Sequence, residues 1–263
     1  MENEIENIPI LRLTEEGGSD IEDMVARESP LTIVLNNQEL VTLLCSPKDL
    51  RYLAVGFLFS EGLLKTKDEI KKIMVDERRG VVRVETEESG ELSKDVLFKR
   101  LITSGCGRGA SFYSAADTTG QKVESQVEIS THQVLSLAKE FQYRSQVYRA
   151  TGGVHSAALC DTENILLFSE DIGRHNAIDK IFGECILKDV STDGGIIITS
   201  GRISSEILLK VAKRNIPILI SKSAPTDMGV RLANDLGITL IGFVRGKRIN
   251  VYTNNWRIVR NGK

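Results

Sequence analysis

From residue 154 to residue 253 short apolar runs alternate with amphipathic stretches, and this rhythm restricts the fold more than any other feature of the chain. Residues 154–160 and 165–168 read as strands joined by a turn containing Asp161, since each is a brief apolar run bounded by turn-forming residues. Ile178, Ile181, Phe182, Cys185 and Ile186 then recur at i, i+3, i+4, i+7 and i+8, which puts them on one buried stripe of a helix. An apolar strand over 195–199 follows, and helices over 205–214 and 227–236 alternate with strands over 216–220, 238–244 and 249–253. Strands alternating with helices predict an α/β layer with a largely parallel sheet.

The first 125 residues lack that rhythm. Residues 1–30 are polar and acidic, with Gly17, Gly18, Ser19 and Asp20 reading as a loop, so only 8–13 is expected as a short strand. Residues 31–35 and 39–44 alternate around Asn36-Asn37-Gln38 as a hairpin. Ser46 as N-cap and Pro47 at the first helical position predict a helix whose apolar face is Leu50, Leu53, Ala54, Phe57 and Leu58, ended by Gly62. Cys45 belongs to the same core. Thr66 and Glu69 form a capping-box pattern for a short helix, residues 81–86 alternate as a strand, and Thr131 is positioned to cap a helix carrying Val134, Leu137, Ala138 and Phe141. A chain of 263 residues has room for two units. The division expected is a smaller α+β part over 1–125 and an α/β part over 126–263.

Within 101–111 a single cysteine, Cys106, sits among Gly105, Gly107 and Gly109, with Arg100 and Arg108 nearby. Glycines remove the Cβ atoms that would shield the sulfur, and inward-pointing guanidinium groups would favour thiolate, the form that attacks, accepts sulfur or binds metal. A small apolar loop residue fits the same local sequence.

Three strand-to-helix junctions combine small residues with a cation: Ser169 to His175, Thr199 to Arg202 and Ser221 to Thr226. A fourth segment, Gly242-Phe243-Val244-Arg245-Gly246-Lys247-Arg248, adds an aromatic ring and three cations between two strands. Ligands of open α/β sheets bind beyond the carboxyl ends of strands, where helix N-termini favour phosphate, so together the four predict a pocket for a phosphorylated, planar ligand. Taken singly, each also fits an ordinary cap or turn. His155 and His175 either face that cleft or hydrogen-bond locally. Glu170 and Asp171 either hold Arg174 or Lys180 or meet the edge of a ligand base. No serine stands in a nucleophile-elbow pattern, which argues against a serine hydrolase.

Net charge is −2 with a pI near 6.0 and the charges are interspersed, so no global basic field favours nucleic acid or an anionic membrane. The N-terminus is acidic where an export signal is basic and then apolar, and no apolar run approaches membrane-spanning length, so a soluble cytoplasmic protein is expected. Cys45, Cys106, Cys160 and Cys185 are too far apart for a zinc knuckle, which fits a reducing compartment. The His-x-Glu and Pro-Cys-x-x-Cys ligand pattern of zinc deaminases does not occur, and no metal site is expected.

Read together, Thr103-Ser-Gly-Cys-Gly107, Thr151-Gly-Gly-Val-His-Ser-Ala-Ala158, Glu170-Asp-Ile-Gly-Arg-His-Asn-Ala-Ile-Asp-Lys180, Ser200-Gly-Arg-Ile-Ser-Ser-Glu206 and Gly242-Phe-Val-Arg-Gly246 resemble the formate dehydrogenase accessory sulfurtransferases, the FdhD family. The match runs in order from about residue 30 to Thr253. The resemblance implies a cytidine-deaminase-like three-layer fold for the second half and, usually, a homodimer. It implies a sulfurtransferase that takes sulfur as a persulfide from a cysteine desulfurase. The sulfur passes to the molybdenum or tungsten cofactor carrying two molybdopterin guanine dinucleotides, before or during its insertion into formate dehydrogenase. The cofactor is then a bound substrate, and a guanine nucleotide such as GDP is its expected mimic. Carried over by motif, Cys106 is the persulfide carrier, and Phe243, Val244, Arg245, Gly246, Lys247 and Arg248 match the segment assigned to cofactor binding. His175, Gly201 and Ser221 lie in matching motifs and are inferred to share that role. Many members carry a second cysteine where this chain has Gly109, so the relay runs through one thiol. A chaperone that holds the guanine dinucleotide cofactor without covalent chemistry is the alternative.

Overall fold

The computed structural model describes residues 3–87, 100–102, 110–112 and 122–259, so Cys106 lies outside the described residues. The fold is mixed α/β, with several sheets. At the amino end β1 (Ile5–Thr14) and β2 (Gly17–Ala26) form a long antiparallel ribbon. This corrects the expectation of a single short strand with a loop at 17–20: the cross-strand register, not apolar content, makes this ribbon. A four-stranded sheet of order β4-β3-β6-β5 follows, built from β3 (Ser29–Leu35), β4 (Gln38–Cys45), β5 (Ile70–Asp76) and β6 (Val81–Thr86). Asn36 and Asn37 both hold positive φ in the β3–β4 turn, the conformation that short hairpins need. Helix α1 (Leu50–Ser60) buries Leu53, Ala54, Phe57 and Leu58 against Leu31, Ile33, Val82 and Val84 of this sheet. At Thr66–Glu69 the expected short helix is a single 3-10 turn, retaining the capping box. Short strands β7 (Arg100–Ile102) and β8 (Ala110–Phe112) pair antiparallel.

The second half is a six-stranded sheet of order β11-β10-β12-β13-β14-β15. Its strands are β10 (His155–Cys160), β11 (Ile165–Asp171), β12 (Ile196–Thr199), β13 (Ile218–Ser221), β14 (Thr239–Arg245) and β15 (Arg248–Val251). Only β12–β13 and β13–β14 pair parallel, while the other three pairings are antiparallel. The sheet is therefore mixed rather than largely parallel, because β10–β11 and β14–β15 are joined by tight turns that leave no room for a crossover helix.

Alternate residues of the strands feed two cores. Leu159, Ile197, Leu219 and Leu240 face α4 (Arg174–Leu187), α5 (Ser205–Ala212) and α6 (Asp227–Asp235), packing on Ile178, Phe182, Leu208 and Ala233. Ala158, Ile198, Ile220 and Ile241 face α2 (Thr131–Arg144), packing on Val134, Leu137 and Phe141. Both faces are covered, which is why these strands read as continuous apolar runs. Ser130, not Thr131, caps α2: its hydroxyl accepts from Gln133 N–H and the Gln133 side chain returns the bond to Ser130 N–H. A short helix α3 (Gln146–Thr151) leads into β10, and a two-residue parallel pair joins β9 (Ile129–Ser130) to β16 (Ile258–Val259).

The halves meet where α1 crosses α4. A Cβ on Gly56 would lie 1.8 Å from Asp179 O, and one on Gly183 would lie 1.9 Å from Tyr52 O, so the two backbones touch at a reciprocal pair of glycines. Buried ions reinforce the contact. Lys180 and Asp171 pair at 2.7 Å with almost no exposure, and Asp179 accepts from Ser60 at 2.7 Å and Lys210 at 2.5 Å.

Candidate functional site

Since β12, β13 and β14 run parallel, their carboxyl ends emerge on one edge of the sheet. The antiparallel β10 and β11 bring His155 and Asp171 to that same edge, where these two residues pair. All four junctions marked in the sequence therefore share one edge, the place where open α/β sheets bind ligands. Neighbouring junctions are laced together: Lys222 N–H donates to Thr199 O at 3.2 Å, Ile203 N–H to Ala224 O at 3.1 Å and Phe243 N–H to Ser223 O at 3.1 Å. Ser221 is buried between them, its hydroxyl donating to Gly201 O at 2.7 Å and accepting from Ser223 N–H at 2.9 Å. Its side chain holds loops together. Gly201 has a similar duty, since an added Cβ would lie 2.8 Å from the Arg174 Cβ; a bare backbone lets the Arg174 stem lie across the loop.

The amino end of α4 is set by the other half of the molecule. Ser46 does not cap α1, whose first turn instead follows Asp49 in the left-handed region. The Ser46 hydroxyl accepts from Ile172 N–H at 3.1 Å, its N–H donates to Asp171 Oδ2 at 3.0 Å, and its carbonyl accepts from Lys180 Nζ at 3.3 Å. Asp171 Oδ1 accepts from Gly173 N–H and from the Asn176 amide, which also donates to Leu44 O. Thus Asp171 holds Lys180, one of the two roles its sequence context allowed. The Glu170 carboxylate accepts from Val147 and Tyr148 N–H, both at 3.0 Å, and so caps α3 rather than holding Arg174 or Lys180.

Two histidines flank Arg174. His155 Nδ1 lies 3.3 Å from Ser200 Oγ, which accepts from Ser156 N–H at 2.9 Å, and the direction of the His155–Ser200 bond follows the imidazole tautomer. Burial, then Arg174, lower the His155 pKa, against Asp171. His175 Nε2 stands 3.5 Å from Glu206 Oε2. Burial first, then Lys210, Arg174 and His155, push His175 down to about 3, so this is a neutral imidazole beside a carboxyl rather than an ion pair. Burial raises the Glu206 pKa, against Lys210 and Arg174. The site thus keeps unprotonated imidazoles at neutral pH, available as hydrogen-bond partners.

At the far end of the edge, the β14–β15 hairpin carries Phe243 at φ 52 and Gly246 at φ 57. The register shifts between Gly242 and Arg245, so the alternation of β14 is broken there. Phe243 is half-buried with the Arg245 guanidinium 5.3 Å from its ring centre, whereas Val244 points into the core and can meet a ligand only through its backbone. Lys247 and Arg248 are exposed in the turn. Burial first, then Arg245, lower the Lys222 pKa, and its ammonium donates to Gln142 Oε1 at 2.8 Å. The structure gathers Gly201, Ser221, His175 and 243–248 on one edge, while Cys106 lies outside the described residues. Arg174 and Lys222 were legible only as junction cations, and Glu206 and Ser200 had no role of their own in the sequence; an acidic residue in the first turn of a mostly apolar helix, as Glu206 is, was the available signal.

Cys45, Cys160 and Cys185 are buried, and burial is the main cause that pushes their thiols up to about 12, 12 and 11. None of the three supplies thiolate at neutral pH. Among the described residues no three His, Cys, Asp or Glu side chains are grouped to hold a metal ion, and no helix is long and apolar enough to cross a membrane.

Residues 26–259 match the FdhD/NarQ family. The chain is 47% identical over 241 residues to the sulfur carrier protein FdhD of Bacillus subtilis (strain 168), covering 91% of this chain and 92% of that one. It is 40% identical over 258 residues to the sulfur carrier protein FdhD of Staphylococcus aureus (strain MRSA252), covering 95% of each. A crystal structure from Desulfotalea psychrophila, provisionally described as a formate dehydrogenase accessory protein, superposes with a TM-score of 0.81 at 27% identity, over 97% of this chain and 99% of that one.

Proposed function

We propose, from the premise that this chain belongs to the FdhD/NarQ family, that it is a sulfur carrier serving a formate dehydrogenase. The observation that carries this reading is the 47% identity, over nine-tenths of both chains, to a protein named for sulfur carriage. Cys106 is the carrier. Its thiolate attacks the terminal sulfur of a persulfide on a cysteine desulfurase; a new S–S bond forms, the donor's S–S bond breaks and the donor leaves as thiolate. The sulfur then passes to the molybdenum or tungsten of a bis(molybdopterin guanine dinucleotide) substrate. Arriving there as sulfide, it takes up two electrons, which a reduced metal centre supplies, and Cys106 returns as thiolate. Gly109 leaves no second thiol in the loop for an internal disulfide, and the high pKa values of Cys45, Cys160 and Cys185 keep them out of the relay.

The sheet edge is where the substrate's nucleotide parts dock. The N-terminus of α4 suits a phosphate, Lys222 and Arg245 add charge, and Phe243 offers a ring for a planar base. The strand order, with the first strand antiparallel inside an otherwise βαβ-connected sheet, supports the cytidine-deaminase-like reading of residues 126–263, with 1–125 as the smaller unit. A homodimer in the cytoplasm completes the proposal.

Incubation with a cysteine desulfurase and cysteine, followed by intact-mass measurement, is expected to show one added sulfur atom that Cys106→Ala removes along with formate dehydrogenase activation. Full activation by Cys106→Ala would overturn sulfur carriage and favour the non-covalent chaperone. GDP binding that survives Lys222→Gln with Arg245→Gln would overturn the docking edge.

A further inference from the structure

The opposite end of α4 carries a second recess. A cavity of about 330 Å³ opens where the segment after α4 meets the end of α1 and the turn at Lys65–Lys67, with Phe59, Lys65, Ile186, Thr192 and Arg214 in its wall. A helix of fourteen residues spans about 20 Å, so this recess stands well away from His175 at the other end. It also draws its walls from both halves of the molecule.

Arg214 is the group to explain. Its guanidinium carbon lies 5.0 Å from the ring centre of Phe59 and 5.8 Å from that of Phe182, so two aromatic rings hold the group in place. Its backbone carbonyl accepts from the Thr192 hydroxyl at 2.9 Å, which anchors the base of the side chain. Yet among the described residues no carboxylate or carbonyl accepts from its five N–H groups. Two carboxylates, Asp189 and Asp193, also line the recess beside Lys65 and Lys67, but neither accepts from Arg214. Asp189 pairs with Lys67, Asp193 accepts from the Asn215 amide at 3.4 Å, and Asp179 is held by Ser60 and Lys210. Lys65 at the mouth likewise has no ion-pair partner among the described residues, and is exposed. A guanidinium oriented by packing and half-buried, with no directly bonded anion, is costly unless something else supplies the charge; burial lowers its pKa, against Cys185 and Asp179.

We infer that this cavity binds a small oxyanion, a phosphate or a carboxylate, gripped by the Arg214 fork with Lys65 closing the mouth. Planar two-pronged recognition of such groups is what arginine does and lysine cannot. The apolar wall of Ile186 and Phe59 leaves room for a short carbon body behind the charged end. Because the walls belong to both halves, an occupied site ties the α1 end to the loop before β12, and binding raises the melting temperature.

The test uses the full chain in chloride buffer, with inorganic phosphate or succinate exchanged for sodium chloride at constant ionic strength. At least one of the two anions is expected to raise the melting temperature saturably, and the responding anion tells phosphate from carboxylate chemistry. Arg214→Gln should weaken binding by about tenfold or more, and Lys65→Gln by a few-fold, as charge-assisted hydrogen bonds lose one partner. Lys222→Gln with Arg245→Gln, at the other edge, should leave the Arg214-dependent part of the response intact. No saturable response to either anion, an equal response from Arg214→Gln, or its loss in the Lys222–Arg245 variant would each overturn the assignment. Should Arg214→Gln fold too poorly to melt cooperatively, Lys65→Glu, on the exposed rim, carries the test; wild-type affinity in that variant refutes the site.

Discussion

The helix crossing at Gly56 and Gly183 lends itself to a quantitative test. Gly56→Ala puts a methyl group 1.8 Å from Asp179 O and 2.9 Å from Gly183 N, both backbone atoms that no rotamer change can move. To restore an ordinary contact the helices must part by more than an ångström. Parting forfeits a quarter to a half of the dispersion energy of the pairs that face each other across the gap. Overpacking of this kind costs about 1–3 kcal/mol, and a clash with backbone belongs near 3. Against it stands the better helix propensity of alanine, worth about 1 kcal/mol. The net expectation is a loss of about 2 kcal/mol, or roughly 4–8 °C in melting temperature for a chain of this size. Gly183→Ala should behave alike, with its own 1.9 Å approach to Tyr52 O. One separation of the helices relieves both clashes, so the double variant should cost clearly less than the sum of the singles. Urea denaturation followed by far-UV circular dichroism measures all three. If Gly56→Ala is as stable as the parent or more so, propensity has won, the backbones are not in contact, and the account of how the two halves join is wrong.

Four further outcomes follow from the site and its supports. Lys180→Met should cost about 3–5 kcal/mol by leaving the Asp171 carboxylate buried without its cation, and the double change with Asp171→Asn should recover part of it, both read from urea midpoints. His175 is held below its ordinary value of 6.5, at about 3, so the unfolded chain binds the extra proton in between. Stability should therefore fall as pH drops from 6.5 toward 3, by up to about 1.4 kcal/mol per unit, with Glu206 acting in the opposite sense; His175→Asn should flatten the slope between pH 6.5 and 5, and an imidazole resonance titrating near 6.5 would contradict it. Under native conditions at neutral pH iodoacetamide should label one thiol per chain, Cys106, and all four only after denaturation, as peptide mass mapping can establish. Arg257 is buried and donates to Val123, Ser125 and Gly237 carbonyls and to the Thr239 hydroxyl; Arg257→Met should cost about 3 kcal/mol or more, read from thermal melting, because several buried carbonyls lose their donor at once.

Much of this protein was legible in the residue string. The apolar stripe of Ile178, Phe182 and Cys185 and the runs around Ile197 and Leu219 determine a covered sheet, since periodicity is a local consequence of which face is buried. The grouping of small residues and cations after each strand marks one shared edge of the sheet for the same reason. Parallel strands must end on one side, and the motifs need no partner to be recognised.

The rest depended on which segments meet. Asn-Asn at 36–37 makes a hairpin locally, but the β1–β2 ribbon is set by cross-strand register, which no periodicity within either strand reveals. Ser46 carries every mark of a local helix cap, yet a buried aspartate and a backbone N–H from more than a hundred residues away compete for it and win. Arg214 reads as an ordinary surface cation until Phe59 and Phe182 are seen to flank it. The protonation state of His175 is likewise silent in sequence. Only burial beside Lys210, Arg174 and His155 decides that it stays neutral, because desolvation and Coulomb energy depend on distance through space rather than along the chain.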